Sequence, residues 1–577
     1  MRSSARPLNL AGRLSERLRP SANPTPEVAA TPATPLKTLR ATRLRLAAVA
    51  GVVALLLAAI AGQLVRFSLI GRSELRTAAA ETLTHSYSRP DIIDRNGRII
   101  ATDVAGYSLY ADPAMLLDAD EATEDLAAVL PEIDPSVLRP QLADRSRRFV
   151  WIKRGLTPRE AQTIHDLGLP GLGFRRELKR IYPAGKLVGH ISGQVDPDNR
   201  GISGIERFLD EQGFSREVQG AHPSRANPVR LSLDLGAQHA LADELAKAAE
   251  SHQAKGAAGV VIDVGTGEVL ASYSWPPVDP GVPGSLLDTT RPDRVQGGVY
   301  ELGSILKTFT VAMMLDAGLA TLEKTYDVSQ PLTFGRHQIH DLHGHAGRLS
   351  VRDIFVRSSN IGSAMMALEA GAERQRAFLE RIGLINAIRT EAGLVAPPLL
   401  PQRWGEVETA TIAFGHGMAA APMQLAAAAA SLVNGGRQVA PTYLSRAPND
   451  VSPATQVVSG RTSSAIRQVM RLNVTMPYGT GRRAAVQGYR VGGKTGTAEI
   501  AGKDGYRAKS VVASFLATFP TDSPRFVVLI SLFEPKPSAA TNGAITAGVN
   551  AAPLTASVVA RIAPILGVLP RRVVEAQ

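Results

Sequence analysis

The chain has no cysteine. It can therefore form neither a disulfide framework nor a thiolate metal site, which suits a compartment where thiols are at risk. Aromatic residues make up only 5% of the 577 positions. They do not read as interleaved with basic residues in the manner of single-strand nucleic-acid binders. Lysine is scarce beside arginine, and part of the arginine excess sits near the N-terminus. With nucleic acid disfavoured, the net charge of +12 points to an anionic membrane surface or an acidic polymer.

Residues 1–45 are Arg-rich and then rich in Pro, Ala and Thr. Such a stretch cannot bury a core and is expected to be disordered. Residues 46–65 follow, bracketed by Arg45 and Arg66 and with Gln63 as the one polar member. As a helix this run spans roughly 30 Å of hydrocarbon, and the preceding arginines place the N-terminus in the cytoplasm. Ala59-Ile60-Ala61 resembles a leader cleavage site. However, the apolar run continues through Leu64 and Val65, and 45 residues is unusually long for a leader, which favours an uncleaved anchor. The rest of the chain is then expected outside the cytoplasm.

Residues 66–226 carry mixed, partly extended patterns. Asp94-Arg95-Asn96-Gly97 lies between the apolar pairs Ile92-Ile93 and Ile99-Ile100, a hairpin signal. From Val229 the texture changes. Residues 260–263 and 269–272 flank a turn at Gly265-Thr266-Gly267-Glu268. Residues 510–519 and 525–533 form a second strand pair. Both pairs contain continuous apolar runs, so both faces are expected to be covered. Helical patterns lie between them, and residues 547–566 read as a final helix. This order predicts an α+β domain over 227–577: one sheet built from the two ends of the domain, with helices inserted between.

Ser304 and Lys307, in Glu301-Leu302-Gly303-Ser304-Ile305-Leu306-Lys307-Thr308, are spaced S-x-x-K. In a helix these positions share a face, so the lysine nitrogen can reach the serine hydroxyl. Residues 304–315 are apolar almost all round, as in a buried helix, and Gly318 marks a stop. A capped core helix with a snorkelling lysine would look the same. An activated nucleophile asks more: the lysine must give up its proton. From about 10.4, working near neutrality needs a drop of roughly 3 pH units, about 4 kcal/mol. Burial and a second cation are the two means.

Ser358-Ser359-Asn360 follows a short amphipathic segment, 350–357. Asn360 can cap a helix over 361–368. Alternatively Ser358 relays a proton and the Asn360 amide holds a substrate peptide group. Lys494-Thr495-Gly496-Thr497 lies among small residues that let a peptide backbone pair with a strand edge, and Lys494 would be the second cation. Gly488 to Thr495 also matches the phosphate-cradling G-x-x-x-x-G-K-[ST] loop. That loop needs a helix after Thr495, against which Gly496, Gly502 and Gly505 argue. His337, His340, His343 and His345 crowd together, but no Asp/Glu–His spacing of the zincin kind accompanies them. A polar loop beside a site is the reading, and no metal is assigned.

Serine-x-x-lysine, serine-x-asparagine and lysine-threonine-glycine, in that order after an anchor, form the set found in penicillin-binding proteins and class A β-lactamases. The sequence resembles a class B penicillin-binding protein of the division-specific, FtsI-type peptidoglycan D,D-transpeptidase family. The resemblance runs through Asp94 to Gly97 and Tyr182-Pro183 to Gly204-Ile205-Glu206. It continues through Thr266-Gly267-Glu268, Tyr300-Glu301-Leu302-Gly303, Asn434-Gly435-Gly436, Tyr478-Gly479-Thr480-Gly481 and Ala513-Ser514-Phe515. Leu302 stands where many members have proline. Ser359 stands where class A β-lactamases have aspartate, which favours the penicillin-binding reading.

The resemblance implies a single transmembrane helix, an elongated β-rich pedestal over 66–226 and a transpeptidase domain over 227–577. It implies that Ser304 attacks the carbonyl between two D-alanines of a stem peptide while Lys307 takes the proton. Ser358 and Asn360 complete the catalytic set. Lys494, Thr495, Gly496 and Thr497 bind substrate, with the N–H groups of Ser304 and Thr497 as the oxyanion hole. No cofactor is implied, and β-lactams would act as substrate mimics. The implied setting is the bacterial inner membrane, with the catalytic domain in the periplasm beside a glycosyltransferase of the FtsW type. Competing readings are an elongation-specific relative, a hydrolytic carboxypeptidase or β-lactamase, and a non-catalytic β-lactam-binding sensor or scaffold.

Overall fold

The computed structural model describes residues 36–69, 85–219, 226–335, 337–342, 344, 347–447, 454–502 and 505–571. The chain divides into two units, residues 1–79 and 80–577. In the first unit the described part is one helix, α1 (Leu36–Leu69). It starts inside the stretch expected to be disordered, because the proline-rich run ends at Pro35 and Leu, Arg and Ala, good helix formers, follow. Residues 1–35 of the expected tail lie outside the described residues. Side chains from 47 to 63 are exposed. Among the described residues, no helix is long and apolar enough to cross a membrane.

The second unit opens with a sheet. Strands β1 (Ile92–Ile93) and β2 (Ile99–Ala111) pair antiparallel across the expected turn. There Gly97 takes φ +86° and Asp94 Oδ1 accepts the N–H groups of Asn96 and Arg98, both at 2.8 Å. β2 then runs antiparallel to β3 (Val150–Leu156) on one side and β4 (Leu172–Ile181) on the other. Helices α2 (Ala119–Val129), α3 (Pro135–Ala143) and α4 (Pro158–Asp166) cover one face of this sheet. Leu126, Leu138 and Ile164 pack there against Leu109 and Val150. β3 lies in Arg147-Arg148-Phe149-Val150-Trp151-Ile152-Lys153-Arg154, which does interleave aromatic and basic residues. A whole-chain aromatic fraction of 5% hides that local pattern.

Four buried charges pin the base of the pedestal. Arg89 Nε meets Glu206 Oε2 at 2.8 Å, and Arg180 Nε meets Glu206 Oε1 at 2.7 Å. Arg180 Nη1 meets Asp103 Oδ1 at 3.1 Å. Each charge has a partner, as burial requires. The pedestal does not stand apart from the larger domain: Ile92, Ile100, Val188 and Ile205 belong to the same apolar core as Val260, Leu432 and Leu529.

The larger sheet is antiparallel throughout. It is made of β5 (Gly256–Asp263) and β6 (Val269–Trp275) from one end of the domain. β7 (Gly492–Gly502), β8 (Gly505–Phe519) and β9 (Phe526–Phe533) come from the other end. The spatial order is β7-β8-β9-β5-β6, so the two ends of the domain meet in one sheet, as expected. All eight residues of β9 are buried, so both faces are covered. Alternate residues sort into two cores: Val261, Val528 and Ile530 face α5 (Leu235–Ser251) and α11 (Ala551–Ile565). Val260, Val527 and Leu529 face the inserted helices, α9 (Pro422–Val433) among them. β7 is left at the edge.

Candidate active site

Ser304 lies in a 3₁₀ turn, Gly303–Leu306, that runs directly into α6 (Lys307–Asp316). In a 3₁₀ turn residues i and i+3 eclipse, so the S-x-x-K spacing stacks Lys307 behind Ser304. Gly318 ends the helix with φ +66°, as expected. Two glycines bring this turn against edge strand β7. Gly303 takes φ +56°, and a Cβ there would stand 2.6 Å from the Thr497 carbonyl oxygen. A Cβ on Gly496 would stand 2.2 Å from the Leu302 carbonyl oxygen. Only hydrogen at both positions lets the Ser304 turn and the Thr497 backbone sit together.

The second wall comes from α7 (Val351–Arg357) and α8 (Asn360–Ala370). Between them Ser358 adopts a left-handed conformation, φ 62° and ψ 43°. A non-glycine residue rarely holds this conformation, and strain of this kind concentrates at functional sites. The turn corrects one expectation: Ser359, not Asn360, caps α8, its Oγ accepting the Gly362 N–H at 3.0 Å. Asn360 becomes the first helical residue, and its side chain is free to turn inward, where Oδ1 accepts from Lys307.

Lys307 and Lys494 are both fully buried. Lys307 Nζ donates to the Ser358 carbonyl at 2.6 Å, to Ser358 Oγ at 3.0 Å and to Asn360 Oδ1 at 2.8 Å. Lys494 Nζ donates to the same Ser358 Oγ at 2.9 Å and to the Thr495 carbonyl at 3.2 Å. Burial pushes the Lys307 amine well below its ordinary range, the Lys494 charge lowers it further, and Asp341 opposes both. Burial brings Lys494 to about 7. Both means sought from the sequence are thus present. The three acceptors around Lys307 match the three N–H groups of the ammonium that forms when it takes a proton.

Beneath β7, Asn473 on α10 (Gly460–Thr475) anchors that strand. Its Nδ2 donates to the Gly493 carbonyl at 2.9 Å, and its Oδ1 accepts from Thr480 N–H and Oγ1. Thr480 Oγ1 in turn lies 2.7 Å from Thr495 Oγ1. Thr497 Oγ1 accepts the Ala547 N–H at 3.0 Å. All eight residues expected at the site, Ser304, Lys307, Ser358, Asn360 and Lys494 to Thr497, are therefore brought together where the Ser304 turn, the Ser358 turn and β7 meet. β7 continues straight through Thr495 with no helix after it, so Gly488 to Thr495 is not a phosphate loop.

Two residues escaped sequence reasoning. Asp341 Oδ2 accepts from Ser359 Oγ at 2.7 Å, while Oδ1 accepts the N–H groups of Asn360 at 2.5 Å and Ile361 at 3.0 Å. It clamps the Ser358 turn, and its only sequence signal was membership of the histidine-rich loop. Asn473 had none. His343 and His345 lie outside the described residues, and among the described residues no three His, Asp or Glu side chains could hold a metal ion.

A family model described as penicillin binding protein transpeptidase domain matches residues 257–554, more than half the chain. The chain belongs to this family of penicillin-binding proteins. A second model, penicillin-binding protein dimerisation domain, matches 85–217. The penicillin-binding protein is 41% identical over 489 residues to a probable peptidoglycan D,D-transpeptidase FtsI of Caulobacter vibrioides, covering 83% of this chain and 82% of that one. It is 29% identical to the peptidoglycan D,D-transpeptidase FtsI of Escherichia coli, covering 83% and 84%. It is thus a class B penicillin-binding protein of the FtsI type. A solved structure of penicillin binding protein 3 from Mycobacterium tuberculosis, complexed with aztreonam, shares the fold. Its TM-score is 0.65 at 23% identity, covering 84% of this chain and 98% of that one.

Proposed function

We propose that this chain cross-links peptidoglycan at the division septum as a serine D,D-transpeptidase. The observation that carries the reading is one hydroxyl, Ser358 Oγ, held between two buried lysines beside a serine whose turn abuts Thr497. Ser304 Oγ attacks the carbonyl between the two D-alanines of a stem peptide, and its proton passes to neutral Lys307. The N–H groups of Ser304 and Thr497 receive the oxyanion, where one such donor is worth roughly 3 kcal/mol. Collapse breaks the C–N bond. The proton travels from Lys307 through Ser358 to the leaving amine. Lys494 and Thr495 hold the departing D-alanine carboxylate. The amine of a neighbouring stem then attacks the acyl ester, forms the cross-link and returns the proton to Ser304. The free edge of β7 suits a stem peptide lying alongside as an added strand.

Residues 46–65 act in this reading as a single-pass anchor in the bacterial inner membrane, N-terminus in the cytoplasm and catalytic domain in the periplasm. Their apolar composition and the exposed side chains of 47–63 support it. A membrane glycosyltransferase of the FtsW type is the expected partner, met through anchor and pedestal.

Fluorescent penicillin tests the chemistry. Wild type should label, with the adduct on Ser304, and Ser304→Ala should not. Folded wild type that fails to label would sink the assignment and leave the scaffold reading. Depletion in cells should give filaments; round cells would instead assign the enzyme to elongation.

A further inference from the structure

One face of the pedestal sheet carries no helices. Register places Tyr110, Ser108, Gly106 and Val104 of β2 opposite Gly173, Arg175, Glu177 and Lys179 of β4. These share one face, whereas Leu109 and Ala111 point into the helix-covered core. On the open face Phe149 stacks on Tyr110 with centroids 4.9 Å apart and rings inclined by 22°. Trp151 meets Phe149 edge-on at 4.9 Å. The Tyr110 ring lies across Gly173, where a Cβ would stand 2.3 Å from it. Phe149 is 44% exposed. The guanidinium carbons of Arg154 and Arg175 lie 5.1 and 5.9 Å from the Trp151 ring centre.

This aromatic shelf leads into a cleft of about 450 Å³. Ser108, Arg154, Glu177 and Lys179 of the same face form one wall, and Asp196 and Pro280 stand across from them. Arg154 belongs to both, packing on Trp151 while its Nε meets Glu177 at 3.0 Å and its Nη1 meets Asp198 at 2.7 Å. From Tyr110 to Gly106 the strand runs about 13 Å at 3.3 Å per residue, with Ser108 between them buried and its hydroxyl donating to Glu177 at 2.6 Å, so the accessible surface is that of the rings and of the Arg154 and Glu177 side chains. Between Arg147 and Arg180 the sequence has nine Lys and Arg against three Asp and Glu, and several of these cations pair with carboxylates outside that segment, Arg148 with Asp112, Lys153 with Glu132 and Arg154 with Asp198.

We propose that this face binds the glycan strand of peptidoglycan. The inference rests on the transpeptidase reading, which makes a carboxylate-bearing sugar polymer the substrate. Two properties of the surface fit that polymer. Flat rings edged by arginine offer the apolar faces of sugars a stacking surface, as aromatic side chains with polar neighbours do. Arg154 and the exposed Lys179, both lining the cleft, supply charged donors for lactyl and stem carboxylates. The rings are set among Arg, Lys, Glu and Asp rather than aliphatic side chains, unlike the apolar centre of a protein–protein interface. A strand held here would be presented to the catalytic domain that Pro280 belongs to.

The test uses the full-length protein in detergent, uncross-linked glycan strands carrying stem peptides, and vesicles of phosphatidylglycerol in phosphatidylethanolamine. Wild type should bind strands, and more weakly as salt rises. Phe149→Ser with Trp151→Ala should weaken strand binding about tenfold or more with an unchanged melting temperature. If that variant misfolds, Arg148→Glu, an exposed position beside the shelf, should weaken binding in the same direction. No strand binding by wild type, equal binding by folded variants, or binding to vesicles but not strands would each overturn the proposal. So would a variant that loses only self-association in sedimentation. Penicillin labelling of wild type judges the transpeptidase reading separately.

Discussion

Replacing Lys494 by methionine removes the second cation and keeps an apolar side chain of similar length. The two lysine nitrogens lie 3.0 and 2.9 Å from the same Ser358 Oγ, so they are less than about 6 Å apart. At an effective dielectric of about 20, two such charges repel by about 2.8 kcal/mol, the equivalent of about two pH units. The repulsion acts while Lys494 is protonated, which its pKa of about 7 allows fully only in mild acid. Lys307 must be neutral to serve as base, so acylation rises with pH through its titration. Without Lys494 the amine keeps its proton to higher pH, and the rise moves alkaline by as much as two pH units. Rapid-mixing kinetics with penicillin, from about pH 5.5 to about 9.5, separate the acylation rate constant from the initial binding constant. The rate constant at the foot of the rise should drop up to about 100-fold and recover in alkali. Initial binding should weaken most in mild acid, where Lys494 is charged and its loss removes a carboxylate partner. An unmoved acid limb, with the rate lowered equally throughout, would refute the electrostatic argument and leave Lys494 with a binding role only.

Asp341→Ala should slow acylation about 10- to 100-fold, the cost of loosening a turn held by three hydrogen bonds. It should move the acid limb the other way, to lower pH, since Asp341 raises the Lys307 pKa; the same kinetics read both. Gly496→Ala puts a methyl group 2.2 Å from the Leu302 carbonyl oxygen. It should cost about 1–3 kcal/mol in urea unfolding and abolish penicillin labelling of the folded protein. Arg180→Ala leaves Asp103 and Glu206 short of a cation in a buried site. A loss of about 3–5 kcal/mol should appear as a lower denaturation midpoint.

The sheet could be read from the sequence because β9 is apolar at every position but Ser531, and only a strand buried on both faces tolerates that. Ser304, Ser358 and Lys494 could be read because their neighbours are tied to them by short spacing, which local geometry enforces. Asp341 could not. It reaches the Ser358 turn through a loop, and a carboxylate among polar residues looks like any solvated one. Asn473 was hidden for the opposite reason, an ordinary helix residue made important by the strand that later crosses it. The shift of the cap from Asn360 to Ser359 follows from the left-handed kink at Ser358, which no residue propensity announces. Pedestal and catalytic domain, distinct as chain segments, share a buried surface, since Ile92 and Ile205 lie in one core with Val260. Composition shifts mark chain segments, not the surfaces they bury.

The closing of the larger sheet by its last strands orders events during synthesis. Gly256 pairs with Phe533, so β5 keeps an open edge, and the helices after it keep bare apolar faces, until nearly the whole chain has emerged. Such long-range pairing is slow and leaves the unfinished chain prone to aggregation. The serine turn is made early, but Lys494 and the backbone of Thr497 arrive only with β7. A growing or truncated chain therefore carries the nucleophile and Lys307 without the second cation and without the oxyanion hole. It can neither consume stem peptides nor be trapped by an antibiotic before the last strand is in place.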